Sequence, residues 1–392
     1  MASKPRILRI TTVPISLNIL LKGQLQFMNE NGFDVYAASA DGKEVEELVL
    51  REGVSHHVIP FTRKITPIKD LWCVWKLVRL IRKIKPDIVH THTPKAGLIG
   101  MISAWLCGVP HRLHTVAGMP LMETKGFIRL ILIRMEKLTY TCATRVYPNS
   151  YQLQEYIKRH ICSCSKKLKV IAKGSSNGID LKHFSDDDEL RNKVEWLKDQ
   201  WRLNDSKVFT FVGRIVKAKG VQELIEAFKS VKTQDPTVKL LLIGSQEKEL
   251  DPLAKDIKDF IEESPDILAL GFQKDVRPYL LMSDVFVFPS YREGFPNVLL
   301  QASAFSIPSI ASDINGCNEI ITHQENGLLI PPKNIEELAK AMLLLTNNEN
   351  VRRTYGAKAK DFVSQHYEQQ YVWTEILHEY KALISKEKII TN

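Results

Sequence analysis

The sequence predicts an α/β protein built of two doubly wound domains. Short apolar strand runs alternate with amphipathic helical stretches along most of the chain, the pattern of a mostly parallel sheet covered by helices on both faces. A cluster of turn formers, Lys173-Gly174-Ser175-Ser176-Asn177-Gly178, interrupts the alternation and reads as a hinge or linker. Charge also divides near that point. Residues 1–180 carry 27 Lys+Arg against 13 Asp+Glu, whereas residues 181–392 carry 27 against 32. Two domains suit a chain of 392 residues at roughly 150 residues each.

In the first half, strand runs fall at 7–13, 34–39, 57–60, 87–90, 112–116, 145–148 and 168–171, with helical spacing over stretches such as 17–30 and 71–84. An acidic, polar passage follows the linker. Strand runs then resume at 208–212, 238–243, 267–270, 285–288, 309–311 and 327–330, and the chain from 334 onward is helical throughout. The boundaries expected are 1–177 for the first domain and 178–367 for the second. The last helix, 368–388, carries apolar spacing at Val372, Ile376, Leu377 and Tyr380.

Several classes drop out. No run reaches the ~18 apolar residues of a membrane-spanning helix, the longest candidate being 98–109. The N-terminal stretch reads as a strand and lacks the long apolar core of a signal peptide, so a cytoplasmic location is expected. Six scattered cysteines make no disulfide framework. Cys162-Ser163-Cys164 has no second pair to complete a zinc site, and Cys73, Cys107 and Cys142 sit in apolar helical patterns as core fillers. The only Asp-x-Asp lies in the run 185–189 before a helix, where acids suit the helix dipole; no metal is expected.

The stretch Ser290-Tyr291-Arg292-Glu293-Gly294-Phe295-Pro296-Asn297 joins a buried-strand run to a helix. Helix N-terminal amides at such a junction can hold an anion. Gly294 lets the backbone approach a ligand, and Pro296 suits the first helical turn. Glu293 is either a helix cap or an acceptor for sugar hydroxyls. Gln301, roughly two turns further on, reaches a ribose edge or faces solvent. A second strand–helix turn, Gly213-Arg214-Ile215-Val216-Lys217-Ala218-Lys219-Gly220, offers a planar guanidinium and a compact ammonium five residues apart. A lysine at a helix N-terminus is disfavoured by about 0.3–1 kcal/mol, a cost that a bound diphosphate would offset.

Together these segments, with Gly271-Phe272-Gln273-Lys274-Asp275-Val276 and Asn326-Gly327-Leu328-Leu329-Ile330-Pro331, resemble the retaining glycosyltransferases of family 4 over nearly the whole chain. The resemblance implies the GT-B fold, two Rossmann-like domains with acceptor sites on the first and nucleotide-sugar sites on the second, and a last helix packed back on the first domain. It assigns Arg214 and Lys219 to the donor diphosphate and Glu293 to the donor sugar. Gly213, Phe272, Asp275, Gly294, Phe295, Pro296, Asn297 and Gln301 line the rest of the donor site. Gln301 departs from the usual second glutamate of the Glu-x7-Glu pair; its amide still offers a donor and an acceptor to ribose, without the stronger bonds of a carboxylate. The first loop also departs, with Thr12-Val13-Pro14-Ile15-Ser16-Leu17 in place of a double glycine.

The resemblance extends to Val89-His90-Thr91-His92-Thr93-Pro94-Lys95 and Arg112-Leu113-His114-Thr115-Val116-Ala117-Gly118-Met119-Pro120, which are similar to acceptor domains in capsule, O-antigen and lipid-linked oligosaccharide synthesis. His92, Lys95 and His114 are the acceptor or cleft candidates. His90 and His92 end a strand whose alternate side chains point to opposite faces, so one of them is expected to face the cleft. Each histidine could equally be a hydrogen-bonded core residue.

Residues 63–85 hold eight Lys/Arg and one acid, with Trp72 and Trp75 among aliphatic residues. Such a helix suits an anionic membrane surface or forms an ordinary packed helix with a solvated basic face. No nucleic-acid motif accompanies the charge. The function expected is metal-independent transfer, with retention, of a hexose or N-acetylhexosamine from a UDP-sugar to a polyprenyl-diphosphate-linked glycan, at the inner face of the plasma membrane. The alternatives are a sugar-nucleotide epimerase or hydrolase on the same fold, and a non-catalytic protein that binds sugar nucleotide or membrane.

Overall fold

The computed structural model describes residues 4–390 apart from 65, 120, 122, 123, 125, 162–164 and 247–250. Pro120, Cys162 and Cys164 therefore lie outside the described residues. Two six-stranded parallel sheets organise the rest. The first contains β1 (Arg6–Ile10), β2 (Asp34–Ser39), β3 (Ser55–Val58), β4 (Ile88–Thr91), β5 (His111–Val116) and β6 (Arg145–Pro148), in the order β3-β2-β1-β4-β5-β6. The second contains β7 (Lys207–Val212), β8 (Val238–Ile243), β9 (Ile267–Gly271), β10 (Val285–Phe288), β11 (Ser309–Ser312) and β12 (Gly327–Ile330), in the order β12-β11-β10-β7-β8-β9.

Each sheet winds outward from its first strand and then restarts on that strand's other side, at β4 and at β10. The winding reverses between β1 and β4 in one sheet and between β7 and β10 in the other. Loops leaving two neighbouring strands at such a reversal diverge and open a crevice at the strands' C-terminal ends, where open α/β sheets bind ligands. The topology thus singles out the segments after β1 and β4, and those after β7 and β10.

The chain divides into two compact units, Met1–Gly178 with Gln370–Asn392, and Ile179–Gln369. Within the first unit, alternation along β1 feeds two apolar layers. Leu8 and Ile10 face Cys73, Leu77, Ile81, Ile99 and Met101. Ile7 faces Leu17, Leu25 and Met28, together with Val372, Ile376, Leu377 and Tyr380 of the last helix, Gln369–Ile390. Full burial of each such side chain contributes about 1.5–3 kcal/mol. Trp373 of that helix packs on Phe27 and fits over Gly23, where an added Cβ would lie 2.6 Å from the indole. Its Nε1 donates to buried Asn177 (2.7 Å), whose amide in turn donates to the Lys22 carbonyl. The turn-former cluster at 173–178 is therefore hydrogen-bonded into the first unit.

The second unit has one continuous core running from Ile179 to Tyr367. Both β10 and β11 are buried at every position. This explains why their sequences read as uninterrupted small or apolar runs, with helices covering both faces.

One expected strand is absent. The run 168–171 makes a single bridge, Leu168 to Val146, and then turns away at Ala172 (φ 52°) and Gly174 (φ 98°). Four apolar residues suffice for the strand pattern, but the left-handed turn ends the pairing after one bridge. Pro296 is also displaced by one position: it is the N-cap of the helix Asn297–Ala304, not its first helical residue. Lys219 likewise ends a 3-10 turn, Lys217–Lys219, and Gly220 separates it from the helix Val221–Gln234.

Candidate functional site

At the reversal of the second sheet, the segments after β7 and β10 are locked together backbone to backbone. Gly220 has φ 71°, and a Cβ there would lie 2.0 Å from the Pro289 carbonyl oxygen, so no larger residue fits without parting the two turns. Tyr291 N–H donates to the Ala218 carbonyl (3.0 Å). A third segment joins: a Cβ on Gly244, after β8, would lie 1.7 Å from the Gly213 carbonyl oxygen. Asp251 braces the turn from outside by accepting from the Ala218 amide (2.6 Å).

This close approach brings Lys219 and Glu293 together. The Lys219 ammonium donates to Glu293 Oε1 (2.5 Å), with the side chains 18% and 13% exposed. A half-desolvated pair is held more firmly than a surface ion pair. Glu293 is therefore no helix cap; it supplies the charge that offsets a lysine near a helix start. An ammonium carries three protons, so Lys219 has donors beyond the one Glu293 takes. The ammonium also sits 5.5 Å from the centre of the Phe288 ring.

Asn315 holds the other side, its amide donating to the carbonyls of Glu293 and Gly294 (both 3.1 Å). Gly316 makes this approach possible, since a Cβ there would lie 2.6 Å from the Gly294 oxygen. Pro296 offers no side-chain oxygen to the first-turn amides of the helix Asn297–Ala304, which leaves the dipole's positive end facing the junction. Phe295 packs on Tyr367, with ring centres 5.3 Å apart. Tyr291 donates to Glu223 (2.6 Å), and burial with that bond raises its phenol.

Other candidates lie further out. Arg214 is an exposed residue beside Gly213. Gln301 is half-buried on the helix Asn297–Ala304. Phe272 (76% exposed) and Asp275 follow β9, at the sheet's far edge. The Asp275 carboxylate is engaged by the Arg277 guanidinium (2.8 Å) and accepts from the Arg277 amide (3.0 Å), which starts the helix Arg277–Leu281. A cavity of about 180 Å³ at the ends of β8 and β9 is lined by residues including Ile215, Gly244, Ser245, Gln246 and Gly271. The sequence marked Ile215 and Gly271, within their motif segments, but not Gly244, Ser245 or Gln246; a glycine straight after the strand run 238–243 was the available signal.

In the first unit the histidines take unexpected positions. His90 and His92 lie on the same side, with ring centres 4.3 Å apart. This corrects the expectation that one would face away: residues two apart on a strand share a face. His90 bonds the hydroxyls of Tyr380 (2.5 Å) and Thr115 (2.8 Å), beside the fully buried Arg9, which donates to Tyr380 and Gln24. His92 is also buried, with no hydrogen-bond partner among the described residues. His114 is on the opposite face, held by Thr91 (2.8 Å) over Gly97, where a Cβ would lie 2.4 Å from the ring. Burial lowers all three imidazoles, His114 to about 4.

Lys95 is tied to Asp70 (2.7 Å) and to the Thr62 hydroxyl (2.8 Å). With Asp70 it borders a cavity of about 410 Å³ at the first sheet's reversal, where the Thr12 and Thr93 hydroxyls meet at 2.7 Å. The run 186–188 is spent locally: Asp187 caps the helix Asp188–Gln200, and Asp186 and Asp188 pair with Arg191. Among the described residues no group of three or more His, Cys, Asp or Glu could hold a metal ion.

Two parallel doubly wound units, with a lysine–carboxylate pair at the second reversal, define a protein of the GT-B class. The Glycosyltransferase Family 4 profile matches residues 24–183, and that of Glycosyl transferases group 1 matches residues 193–362. The capsular polysaccharide biosynthesis glycosyltransferase CapM of Staphylococcus aureus is 34% identical over 98% of both chains. The Escherichia coli UDP-Gal:α-D-GlcNAc-diphosphoundecaprenol α-1,3-galactosyltransferase is 31% identical over 76% of this chain and 77% of its own. The structure of Anabaena HepE in complex with UDP and glucose superimposes with a TM-score of 0.79 at 18% identity, covering 96% of this chain and all of HepE. The chain belongs to glycosyltransferase family 4, and it is a glycosyltransferase.

Proposed function

We propose that the protein transfers a hexose or N-acetylhexosamine, with retention, from a UDP-sugar to a polyprenyl-diphosphate-linked glycan during cell-surface polysaccharide synthesis. The observation that carries this is the Lys219–Glu293 pair, seated on two turns that glycines hold in contact at the sheet's reversal. Lys219 and Arg214 bind the diphosphate, and the first-turn amides of the helix Asn297–Ala304 add the helix's positive end. Glu293 receives sugar hydroxyls. The cavity beside Gly244 and Ser245 takes the base, and Gln301 bonds ribose. UDP is supported by the donor named for the E. coli relative and by the UDP complex of HepE. The acceptor class is supported by the diphosphoundecaprenol substrate named for the E. coli enzyme.

In the reaction an acceptor hydroxyl oxygen forms the new bond to the anomeric carbon as the bond to the donor's phosphate oxygen breaks. The hydroxyl proton passes to the departing phosphate, and UDP leaves. Fixed cations placed where the phosphate gains charge stabilise that step. With Arg214 and Lys219 in this role no divalent metal or cofactor is needed; transfer undiminished by EDTA is the expected result.

The membrane surface is contacted through the helix Pro67–Ile84. It buries Cys73, Leu77, Ile81 and Ile84 and leaves Ile68, Leu71, Trp72 and Trp75 47–86% exposed. Lys76 lies over the Trp72 ring at 4.1 Å and Arg79 over Trp75 at 4.6 Å. Aromatic rings flanked by cations suit an anionic interface, as on the cytoplasmic leaflet, and no helix among the described residues is long and apolar enough to cross a membrane.

Thermal unfolding with UDP-, GDP- and ADP-sugars tests the donor class. One UDP-sugar should raise Tm, since a hundredfold excess over Kd adds about 2.7 kcal/mol of stability. A shift with GDP- or ADP-sugars alone overturns the assignment of the base.

A further inference from the structure

A cavity of about 410 Å³ in the first unit is lined by none of the donor-site residues named above. Its volume falls within the about 300–1,000 Å³ of small-molecule sites, and its position after β1 and β4 is where this sheet opens. One side is apolar, formed by Val13, Leu98, Ile99, Leu132 and Met135. The polar part of the lining is Arg63, Asp70 and Lys95 with the paired hydroxyls of Thr12 and Thr93. Of the two carboxyls in the lining, Asp70 is paired with Lys95, and the other is Glu136 of the helix Gly126–Cys142. Its Oε2 is buried with no hydrogen-bond partner among the described residues. An unpaired buried carboxyl oxygen is costly, and an occupant that bonds it removes the cost.

We propose that this cavity receives the acylamino group of the acceptor's terminal sugar, the Glu136 carboxyl hydrogen-bonding the amide and the Leu98, Ile99, Leu132 and Met135 side chains covering the acyl methyl. This rests on the proposed sugar-diphosphate acceptor. An acylamino group joins a small apolar methyl to one strong acceptor and one donor, which is what aliphatic side chains beside an unpaired carboxyl complement. Burial raises the Glu136 carboxyl to about 7, against which a bond from Tyr140 acts, so near neutrality the group keeps an O–H to donate to an amide carbonyl. A hexose hydroxyl at the same place would meet the apolar wall. Specificity then follows from the unpaired groups that a non-acylated sugar would leave behind.

The test is calorimetric titration of the full chain with two probes: N-acetylglucosaminyl diphosphate carrying a short prenyl chain, and its glucosyl counterpart. Wild-type protein should bind the acetylated probe at least tenfold more tightly. Glu136→Leu should bring the two probes within about twofold by weakening only the acetylated one, and Glu136→Gln, which keeps a donor and an acceptor, should retain the preference. Should Glu136→Leu fail to fold, Leu98→Trp fills the cavity from its half-buried wall and should abolish the preference. A preference that survives in Glu136→Leu or Leu98→Trp overturns the subsite, as does equal binding of both probes by wild type, which leaves the acceptor class standing. Binding of neither probe overturns the acceptor class and the subsite with it.

Discussion

Lys219 and Glu293 show how a charged pair too costly for a bare strand–helix turn is supported. Each carboxylate or ammonium loses solvent as the turns close, and the partner's charge compensates. Lys219→Ala should therefore do two things. It removes the cation that stabilises the leaving diphosphate, for an expected 10²–10³-fold loss in kcat, the range seen on deleting one such donor. It also leaves Glu293 without its partner, which a modest fall in Tm should register. Near-normal turnover would sink the diphosphate role. Gln301→Glu should tighten UDP binding, measured by calorimetric titration with UDP, if the side chain points at ribose; no change places it elsewhere. Titration of buried groups gives a further check. His114 is held neutral down to about 4, against an ordinary 6.5, so its stabilisation is present above 6.5 and lost as pH falls through about 4. His90 and His92, also lowered by burial, act in the same sense. Glu136 acts oppositely: its carboxyl is raised from 4.5 to about 7, so its contribution is intact below 4.5 and lost as pH rises toward 7. Melting curves of Glu136→Gln should show a Tm gain over wild type that is larger at pH 8 than at pH 5.

At the scale of elements, the strands were the legible part. Runs at 34–39, 145–148, 238–243, 285–288 and 327–330 coincide with observed strands, because strands buried on both faces need apolar or small residues at consecutive positions. The run 168–171 shows the limit: apolar letters do not reveal a left-handed turn at Ala172 that ends the pairing. Lys219 and Glu293 were nameable from their motif. Their mutual bond was not, since it depends on Gly220 and Pro289, 69 residues apart, touching through space. Glu136 was invisible, as one acid in an apolar helix looks like a solvated face until a cavity is found beside it. Gly220→Ala tests the contact between the turns. Positive φ alone should cost about 1–2 kcal/mol, and the clash with the Pro289 carbonyl should part Lys219 from Glu293 and weaken UDP binding. The helix Pro67–Ile84 makes its own prediction. Replacing Arg79, Arg82 and Lys83 by Gln should weaken salt-sensitive binding to anionic vesicles, at about 1 kcal/mol per charge near the surface, and unchanged binding refutes the membrane role.

Across the whole molecule, two sheets with the same order of winding share no evident sequence repeat, yet each places its chemistry at its reversal. In one the loops bring an ammonium and a carboxylate together; in the other they border a cavity that also holds the unpaired carboxyl oxygen of Glu136. The common cause is topological, since only at the reversal do neighbouring loops diverge. The basic balance of the first 180 residues and the mildly acidic remainder give the two units surfaces of different charge. The proposed reaction joins a nucleotide sugar to a lipid-linked acceptor, and direct transfer tests it. Wild-type protein and Lys219→Ala are incubated with a panel of labelled UDP-sugars and N-acetylglucosaminyl-diphosphoundecaprenol. Label should enter the lipid from one UDP-sugar, with the anomeric configuration retained, and fall at least a hundredfold in the variant. Label that stays in the nucleotide sugar, or is released as free or epimerised sugar without acceptor for every donor, would contradict the account.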